Sequence, residues 1–145
     1  MPETLVVQAE MAELARVGAW TDAVAERMEL PPSVLFAIHL CFEEAVSNIV
    51  RYGFQDSRHA TGHDRNVNLA LAREADAVTV TIEDHGVAFD PREVASPAPA
   101  TTLEEAVVGG LGIHLMRQFA QDVAYQRLDG INRLTLRFDL KKPGD

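Results

Sequence analysis

The apolar residues in the first third of the chain recur every three or four positions, which is the spacing of helices that bury one face. A short edge strand is predicted at residues 5–7, and two helices follow it. The apolar face of the first helix comprises Leu14, Val17, Trp20, Val24 and Met28. The second helix begins at "LPPS", because proline fits the first helical turn. Its apolar face comprises Val34, Leu35, Ile38, Cys41, Phe42, Ala45, Val46 and Ile49.

From residue 67 onward the apolar residues alternate with polar ones, which is typical of half-buried strands. One hairpin is predicted at 67–82 around "READA", and a second at 123–138 around "DG", where the alternation is irregular. The glycine-rich stretch "GGLGIHLMRQFA" predicts one more helix between them. This order predicts an α+β fold, a two-layer α/β sandwich with helices on one face of a mixed, mainly antiparallel sheet.

Composition narrows the possible partners. A chain of 145 residues with 47% hydrophobic content fits one domain, 1–145. Its net charge of -9 argues against direct nucleic-acid binding, which depends on clustered Lys and Arg. No apolar run predicts a membrane span, and the N-terminal sequence lacks the pattern of a secretory signal. A cytoplasmic protein is therefore expected.

The stretch "CFEEAVSNIVRYGF" places polar residues beside the apolar face of the second helix. At roughly 100° per residue, Glu44, Asn48 and Arg51 fall within about 60° of one another on one helix edge. A carboxylate there can orient or deprotonate a hydroxyl, and an amide oxygen is a suitable Mg²⁺ ligand. Alternatively, the edge is a solvated flank on which Glu44 pairs with Arg51.

Two further stretches carry candidate chemistry. In "TVTIEDHGVAFDP" a strand ends at Asp84, whose carboxylate can accept a hydrogen bond from an adenine amine, and Gly86 permits a close approach. The alternative is a plain Asp-x-Gly turn. In "VVGGLGIHLMRQF" the glycines expose N–H groups at a helix start, which makes an anion site, or they permit close packing.

Taken together, the stretches "FEEAVSNIV", "EDHGVAFDP", "GGLGIHLMRQFAQDVAYQ" and "GINRLTL" resemble the motifs of a known ATP-binding superfamily. It is the GHKL superfamily of gyrase, the heat-shock chaperone, histidine kinases and mismatch-repair ATPases. The resemblance is closest to its branch of anti-sigma-factor serine/threonine protein kinases, and it spans nearly the whole chain. Members of this branch bind a sigma factor and phosphorylate a small antagonist protein.

The resemblance implies a role for each motif. It implies ATP and Mg²⁺ as ligands, Glu44 as the catalytic base, Asn48 as the metal ligand and 92–108 as an ATP lid. It also implies an anti-sigma-factor antagonist as a partner, with a sigma factor and a homodimer as further expectations. The residues expected to hold the nucleotide are Asn48, Arg51, Asp84, Gly86, Ala88, Gly110, Leu111, Gly112 and Thr135.

Two positions depart from the family pattern. Ala88 stands where the family has a second glycine, which adds a methyl group near the expected nucleotide, and Tyr52 stands where the family has His. A protein kinase is the favoured function. An ATP-binding regulatory module without kinase activity is the alternative, and a histidine-kinase fragment comes last because the chain lacks a separate helical hairpin with a phosphoacceptor histidine.

Overall fold

The computed structural model describes residues 2–53, 65–88 and 117–140. In that part of the chain, two helices pack on one face of a five-stranded sheet. The helices are α1 (Leu14–Arg27) and α2 (Pro32–Asn48), with a 3-10 turn at Met11–Glu13 and a π-helical turn at Ile49–Gly53. The strands are β1 (Glu3–Gln8), β2 (Asn66–Arg73), β3 (Ala77–Asp84), β4 (Asp122–Leu128) and β5 (Ile131–Asp139). The predicted two-layer sandwich is confirmed.

The strand order is β1-β2-β3-β5-β4, and all four pairings between described strands are antiparallel. A mixed sheet was expected, but the described part of the chain contains no parallel strand pair. The reason lies partly in the connections. Hairpins join β2 to β3 and β4 to β5, and hairpin strands are antiparallel. Two helices connect β1 to β2, and this connection leaves the two strands antiparallel, whereas a single crossover helix makes strands parallel.

The core lies between the helices and one face of the sheet. Val67, Leu69, Leu71, Val78, Val80, Ile82, Leu134, Leu136 and Phe138 contribute to it from the strands. From α2 it receives Ile38, Cys41, Phe42 and Val46. The segment Pro32–Arg51 meets the length and composition of a membrane span, with a mean hydropathy of 1.4 over 18 residues, but 56% of those residues are buried inside the domain. It is therefore the central core helix of this fold.

The hairpin between β4 and β5 turns at the predicted "DG". Asp129 has φ 53° and Gly130 has φ 79°, and left-handed values at both positions are characteristic of the tight turn that suits a two-residue hairpin. Beside this turn, Ile131 lies on the outer face of the sheet, while Asn132 occupies the core-facing position. The irregular alternation in the sequence therefore marks a buried polar residue in β5.

Candidate functional site

Buried polar side chains are few in this fold, and they point to the candidate site. The buried polar residues in the described part are Thr21, Ser47, Asn48, Asp84 and Asn132. Thr21 donates a local hydrogen bond to the Val17 carbonyl at 2.7 Å and needs no further explanation. Asn48 and Asp84 were both predicted as ligand-binding residues from the sequence, whereas Asn132 was not.

The first part of the site is the edge of α2 that carries Glu44 and Asn48. The Asn48 amide nitrogen donates to Glu44 Oε1 at 3.4 Å, and Asn48 is only 6% exposed. Within the described ranges, the Asn48 amide oxygen receives no hydrogen bond, so it remains an acceptor for a ligand. Half-burial raises the pKa of Glu44, while the Asn48 hydrogen bond and the charge of Arg51 oppose this rise.

Arg51 lies beyond the end of the α-helix. The α-helix ends at Asn48, and the chain continues as a π-helical turn over Ile49–Gly53. The rotation of about 100° per residue that was used to place Arg51 beside Asn48 therefore does not apply beyond Asn48. The Arg51 side chain is exposed, yet its charge still lowers the pKa of Glu44. Such π-helical turns occur frequently at functional sites. The structure therefore keeps Arg51 near the pair at the solvent side.

The second part of the site is the turn after β3. Asp84 is 7% exposed, and its Oδ1 accepts hydrogen bonds from the Gly86 backbone N–H at 2.8 Å and from Asn132 Nδ2 at 3.1 Å. Burial raises the pKa of Asp84. The two hydrogen bonds and the charges of Arg127 and His85 act in the opposite direction. No donor in the described part reaches Oδ2, which is left to accept from a ligand.

Asn132 is the residue of this site that sequence reasoning missed. It lies opposite Asp84 in the register of β3 and β5, which brings two residues far apart in sequence onto the same face. Its amide also donates to the Val87 carbonyl at 2.9 Å. The only sequence signal was the break in the alternation of "GINRLTL", where a polar residue takes a core-facing position.

The structure does not bring Thr135 to Asp84. Thr135 pairs with Thr81 in the register of β3 and β5, whereas Asp84 pairs with Asn132. Because successive side chains in a strand point to opposite faces, Thr135 lies on the outer face of the sheet, away from the helices. The expectation that Thr135 lies near an adenine held between helices and sheet is therefore corrected.

The substitution Thr135→Val tests this correction. It removes one hydroxyl from the outer face and keeps the side-chain volume, so ATP affinity should stay within about twofold of the original value, as for surface substitutions away from a site. Calorimetric titration of both proteins with ATP and Mg²⁺ measures this. A loss of about tenfold or more would return Thr135 to the site.

The remaining predicted residues divide into two groups. Gly110, Leu111, Gly112 and the expected lid at 92–108 lie outside the described residues. Ala88 is exposed, and it is not among the described non-glycine residues with positive φ. Alanine in place of the family's glycine therefore causes no left-handed backbone strain at this position.

The chemistry of these side chains fits ATP with Mg²⁺. The Asn48 amide oxygen would serve as one hard ligand, and Mg²⁺ commonly uses few protein ligands with water and phosphate oxygens for the rest. The Asp84 oxygen without a described donor fits an exocyclic amine. Asn48 and Asp84 are both buried, so water would only weakly screen the attraction between a ligand and these two acceptor oxygens.

Comparison with known proteins agrees with the geometry. Residues 7–138 match the family model of the histidine kinase-like ATPase domain. The chain is 38% identical to the serine/threonine-protein kinase BtrW of Bordetella bronchiseptica over 117 residues, which cover 81% of this chain and 79% of that protein. It is 23% identical to the serine-protein kinase RsbW of Bacillus subtilis, covering 76% of this chain and 68% of RsbW.

Solved structures show the same fold. The RsbU and RsbW domains of a Mycobacterium tuberculosis protein match with a TM-score of 0.64 and 16% identity, covering 99% of this chain. The chain spans only 33% of that protein. The SiaB-SiaC complex of Pseudomonas aeruginosa matches with a TM-score of 0.59 and 14% identity, covering 94% of this chain and 89% of the matched one.

The family model covers most of the chain, and two of the relatives are named as protein kinases. A third relative, 30% identical over 98 residues that cover 66% of this chain and 64% of that protein, is the anti-sigma F factor of Bacillus licheniformis. The resemblance inferred from the four sequence motifs is thus confirmed. The chain belongs to the histidine kinase-like ATPase domain family, whose fold binds ATP, within the branch of BtrW, RsbW and the anti-sigma F factors.

Proposed function

We propose that this chain is an ATP-dependent protein serine/threonine kinase of the anti-sigma-factor type. In this proposal it phosphorylates a small antagonist protein in the cytoplasm and thereby controls a sigma factor. The observation that carries the proposal is the contact between Glu44 and Asn48, which joins a carboxylate of raised pKa to an amide whose oxygen is open to a ligand. The named kinases among its relatives support the same activity.

Each residue has a separate role in the proposal. Asn48 holds Mg²⁺ through its amide oxygen, and Glu44 orients or deprotonates the hydroxyl of a partner's Ser or Thr. Bound Mg²⁺ would neutralise charge on the phosphate oxygens during transfer. Arg51 contributes positive charge at the exposed end of the same helix, and Asp84 selects the base.

The partner in the proposal is a protein. A relative at 30% identity over 98 residues is the anti-sigma F factor of Bacillus licheniformis. The name of the anti-sigma F factor supports a sigma factor as the regulated partner. The antagonist protein as substrate follows from the resemblance of the four sequence motifs to anti-sigma-factor kinases.

Transfer of label from ATP tests the proposal. The purified chain is incubated with γ-labelled ATP, Mg²⁺ and candidate antagonist proteins of the same genome, and phosphoserine or phosphothreonine is identified in the product. The expected result is label on one candidate. If the chain binds both ATP and a candidate but transfers no label, it acts as a binding module and the kinase proposal is wrong.

Loss of Asn48 should remove the magnesium dependence of nucleotide binding. The Asn48→Ala variant lacks the amide oxygen, and a metal that requires near-octahedral oxygen geometry tolerates this poorly, so affinity in Mg²⁺ should fall at least about tenfold. Titrations with Mg²⁺ and with a chelator measure the difference. Asn68→Ala is the matched control, because Asn68 is exposed in β2. An unchanged gain from Mg²⁺ in Asn48→Ala would disprove the assignment.

A further inference from the structure

A chain of hydrogen bonds links β4, β5 and the turn after β3. The Tyr125 hydroxyl donates to the Asn132 side-chain oxygen, and the Asn132 amide nitrogen donates to Asp84 Oδ1 at 3.1 Å. The same nitrogen donates to the Val87 carbonyl at 2.9 Å and lies 3.4 Å from the Gly86 carbonyl. Asn132 is therefore the centre of this chain, and it is 5% exposed.

The surroundings of Asn132 allow only one orientation of its amide. An amide nitrogen has two protons to donate, and three oxygens lie on the side to which it points. The opposite orientation would turn the amide oxygen toward those oxygens and leave a buried repulsion. The Tyr125 hydroxyl reinforces the observed orientation because it donates to the amide oxygen.

Arg127 completes the support of the turn. Its Nη1 donates to the Gly86 carbonyl at 2.7 Å, which leaves the two Asn132 protons for Asp84 and Val87. The backbone of the turn and one oxygen of the Asp84 carboxylate are thereby fixed from β4 and β5. The amide of Asn132 has no proton left to donate to a ligand, and its oxygen already accepts from Tyr125, so we assign its effect on a base to its hydrogen bond with Asp84.

We propose that Asn132 and Tyr125 are positioning residues for nucleotide binding at Asp84. Tyr125 orients the amide of Asn132, and that amide holds Asp84 Oδ1 and the turn, so that Oδ2 faces the base as an acceptor for its exocyclic amine. The ligand is a nucleotide whose base carries an amine, as adenine does. This inference rests on the proposed ATP binding and adds two residues that none of the sequence motifs assigned to the nucleotide.

The arrangement also has an electrostatic consequence. Burial raises the pKa of Asp84, and the Asn132 hydrogen bond is the largest of the effects that oppose this rise. The charged or titratable groups that act on Asp84, Arg127 and His85, lower its pKa further and are unchanged by substitutions at Asn132 or Tyr125. Without Asn132, the carboxyl would take up a proton at higher pH and would then donate where it should accept.

The test compares the wild-type chain with Asn132→Ala and Tyr125→Phe by calorimetric titration with ATP and Mg²⁺ across a pH series. Asn132→Ala should lose roughly 10- to 100-fold in affinity, and Tyr125→Phe, which lacks only the hydroxyl, roughly 3- to 10-fold. The acid-side loss of affinity should move to higher pH in Asn132→Ala. The ATP phosphates titrate equally in all samples, so the difference between proteins reports Asp84.

Two exposed neighbours provide matched controls. Arg133→Gln changes the residue after Asn132, whose side chain pairs with Glu83, and Gln126→Ala changes the residue after Tyr125. Both should keep wild-type affinity and the wild-type pH profile. Because Tyr125→Phe removes only one oxygen, it keeps the test decisive even where Asn132→Ala fails to fold.

Three results would overturn the inference. Wild-type affinity in both variants would exclude a positioning role. A lower melting temperature of Asn132→Ala together with an unchanged pH profile of ATP binding would also exclude it, because that result indicates a purely structural role. If the wild-type chain binds no ATP, the proposed function and this inference fall together. If it binds ATP and both variants weaken binding while no partner is labelled, only the kinase proposal falls.

Discussion

Replacement of Glu44 by Gln should lower phosphoryl transfer by roughly 10²- to 10⁴-fold and leave ATP affinity near its original value. Glutamine keeps the size of the side chain and can still accept from the Asn48 amide, whose nitrogen lies 3.4 Å from Glu44 Oε1. It cannot take the proton of a hydroxyl. Binding and transfer should therefore separate, and label transfer beside calorimetry on the same samples measures both.

Glu43→Gln is the matched control for this substitution. Glu43 is the adjacent residue of α2 and carries the same charge, but it is exposed, so its loss should leave transfer near wild type. Equal loss in both variants would point to the general charge of the helix rather than to a base. Full transfer by Glu44→Gln would remove Glu44 from the catalytic role.

The pH profile of transfer should show the same base. Burial and, to a smaller extent, the charge of Glu43 raise the pKa of Glu44 from its ordinary value of 4.5, and the phosphates of a bound nucleotide would raise it further. A base must be ionised, so transfer should fall as pH is lowered through this raised pKa, at a pH above 4.5. The substitution Arg51→Ala removes a charge that lowers the pKa of Glu44. In that variant the loss of transfer on the acid side should therefore occur at a still higher pH.

The parts of the fold that follow from local periodicity could be predicted from the sequence. The second helix was expected to begin at the proline pair, and α2 begins at Pro32 because that residue fits the first helical turn. The "DG" hairpin was expected because both turn positions favour left-handed backbone, and Asp129 and Gly130 adopt it. The order of the helices and hairpins then determined the two-layer architecture.

The parts of the site that depend on register could not be predicted in the same way. Asn132 reaches Asp84 only because β5 pairs with β3 in one register, and a shift of one residue would have turned Thr135 inward instead. The sequence showed only irregular alternation there. The π-helical turn that carries Arg51 was likewise hidden, since a uniform angle per residue assumes that the α-helix continues past Asn48.

Substitution of Asp84 by Asn should lower ATP affinity roughly 5- to 150-fold, which corresponds to about 1–3 kcal/mol for a buried unpaired group. In the wild-type chain Oδ1 accepts from the Gly86 N–H and from Asn132, so the amine of the base needs Oδ2. Asparagine has one acceptor and one donor group. In one orientation of its amide, the NH₂ group faces the amine of the base. In the other orientation, the NH₂ group faces the Gly86 N–H and the Asn132 amide, so two donors face each other in both cases.

The same geometry predicts a change in base preference. ITP and GTP present a carbonyl where ATP presents an amine, so the wild-type Asp84 carboxylate should reject both by roughly 10- to 100-fold. In Asp84→Asn the amide can donate to that carbonyl, and the preference for ATP over ITP should shrink or reverse. Competition of ATP, ITP and GTP against a fluorescent ATP analogue measures the ratios for both proteins.

Asp122→Asn is the control for this substitution, because Asp122 is an exposed carboxylate at the start of β4 and its change should leave the nucleotide ratios unaltered. The decisive quantity is the ratio of ATP to ITP affinity rather than either affinity alone. A variant that misfolds in part loses both affinities together, whereas a lost acceptor weakens ATP selectively. If the ratio of ATP to ITP affinity is unchanged in Asp84→Asn, groups other than the Asp84 carboxylate recognise the base.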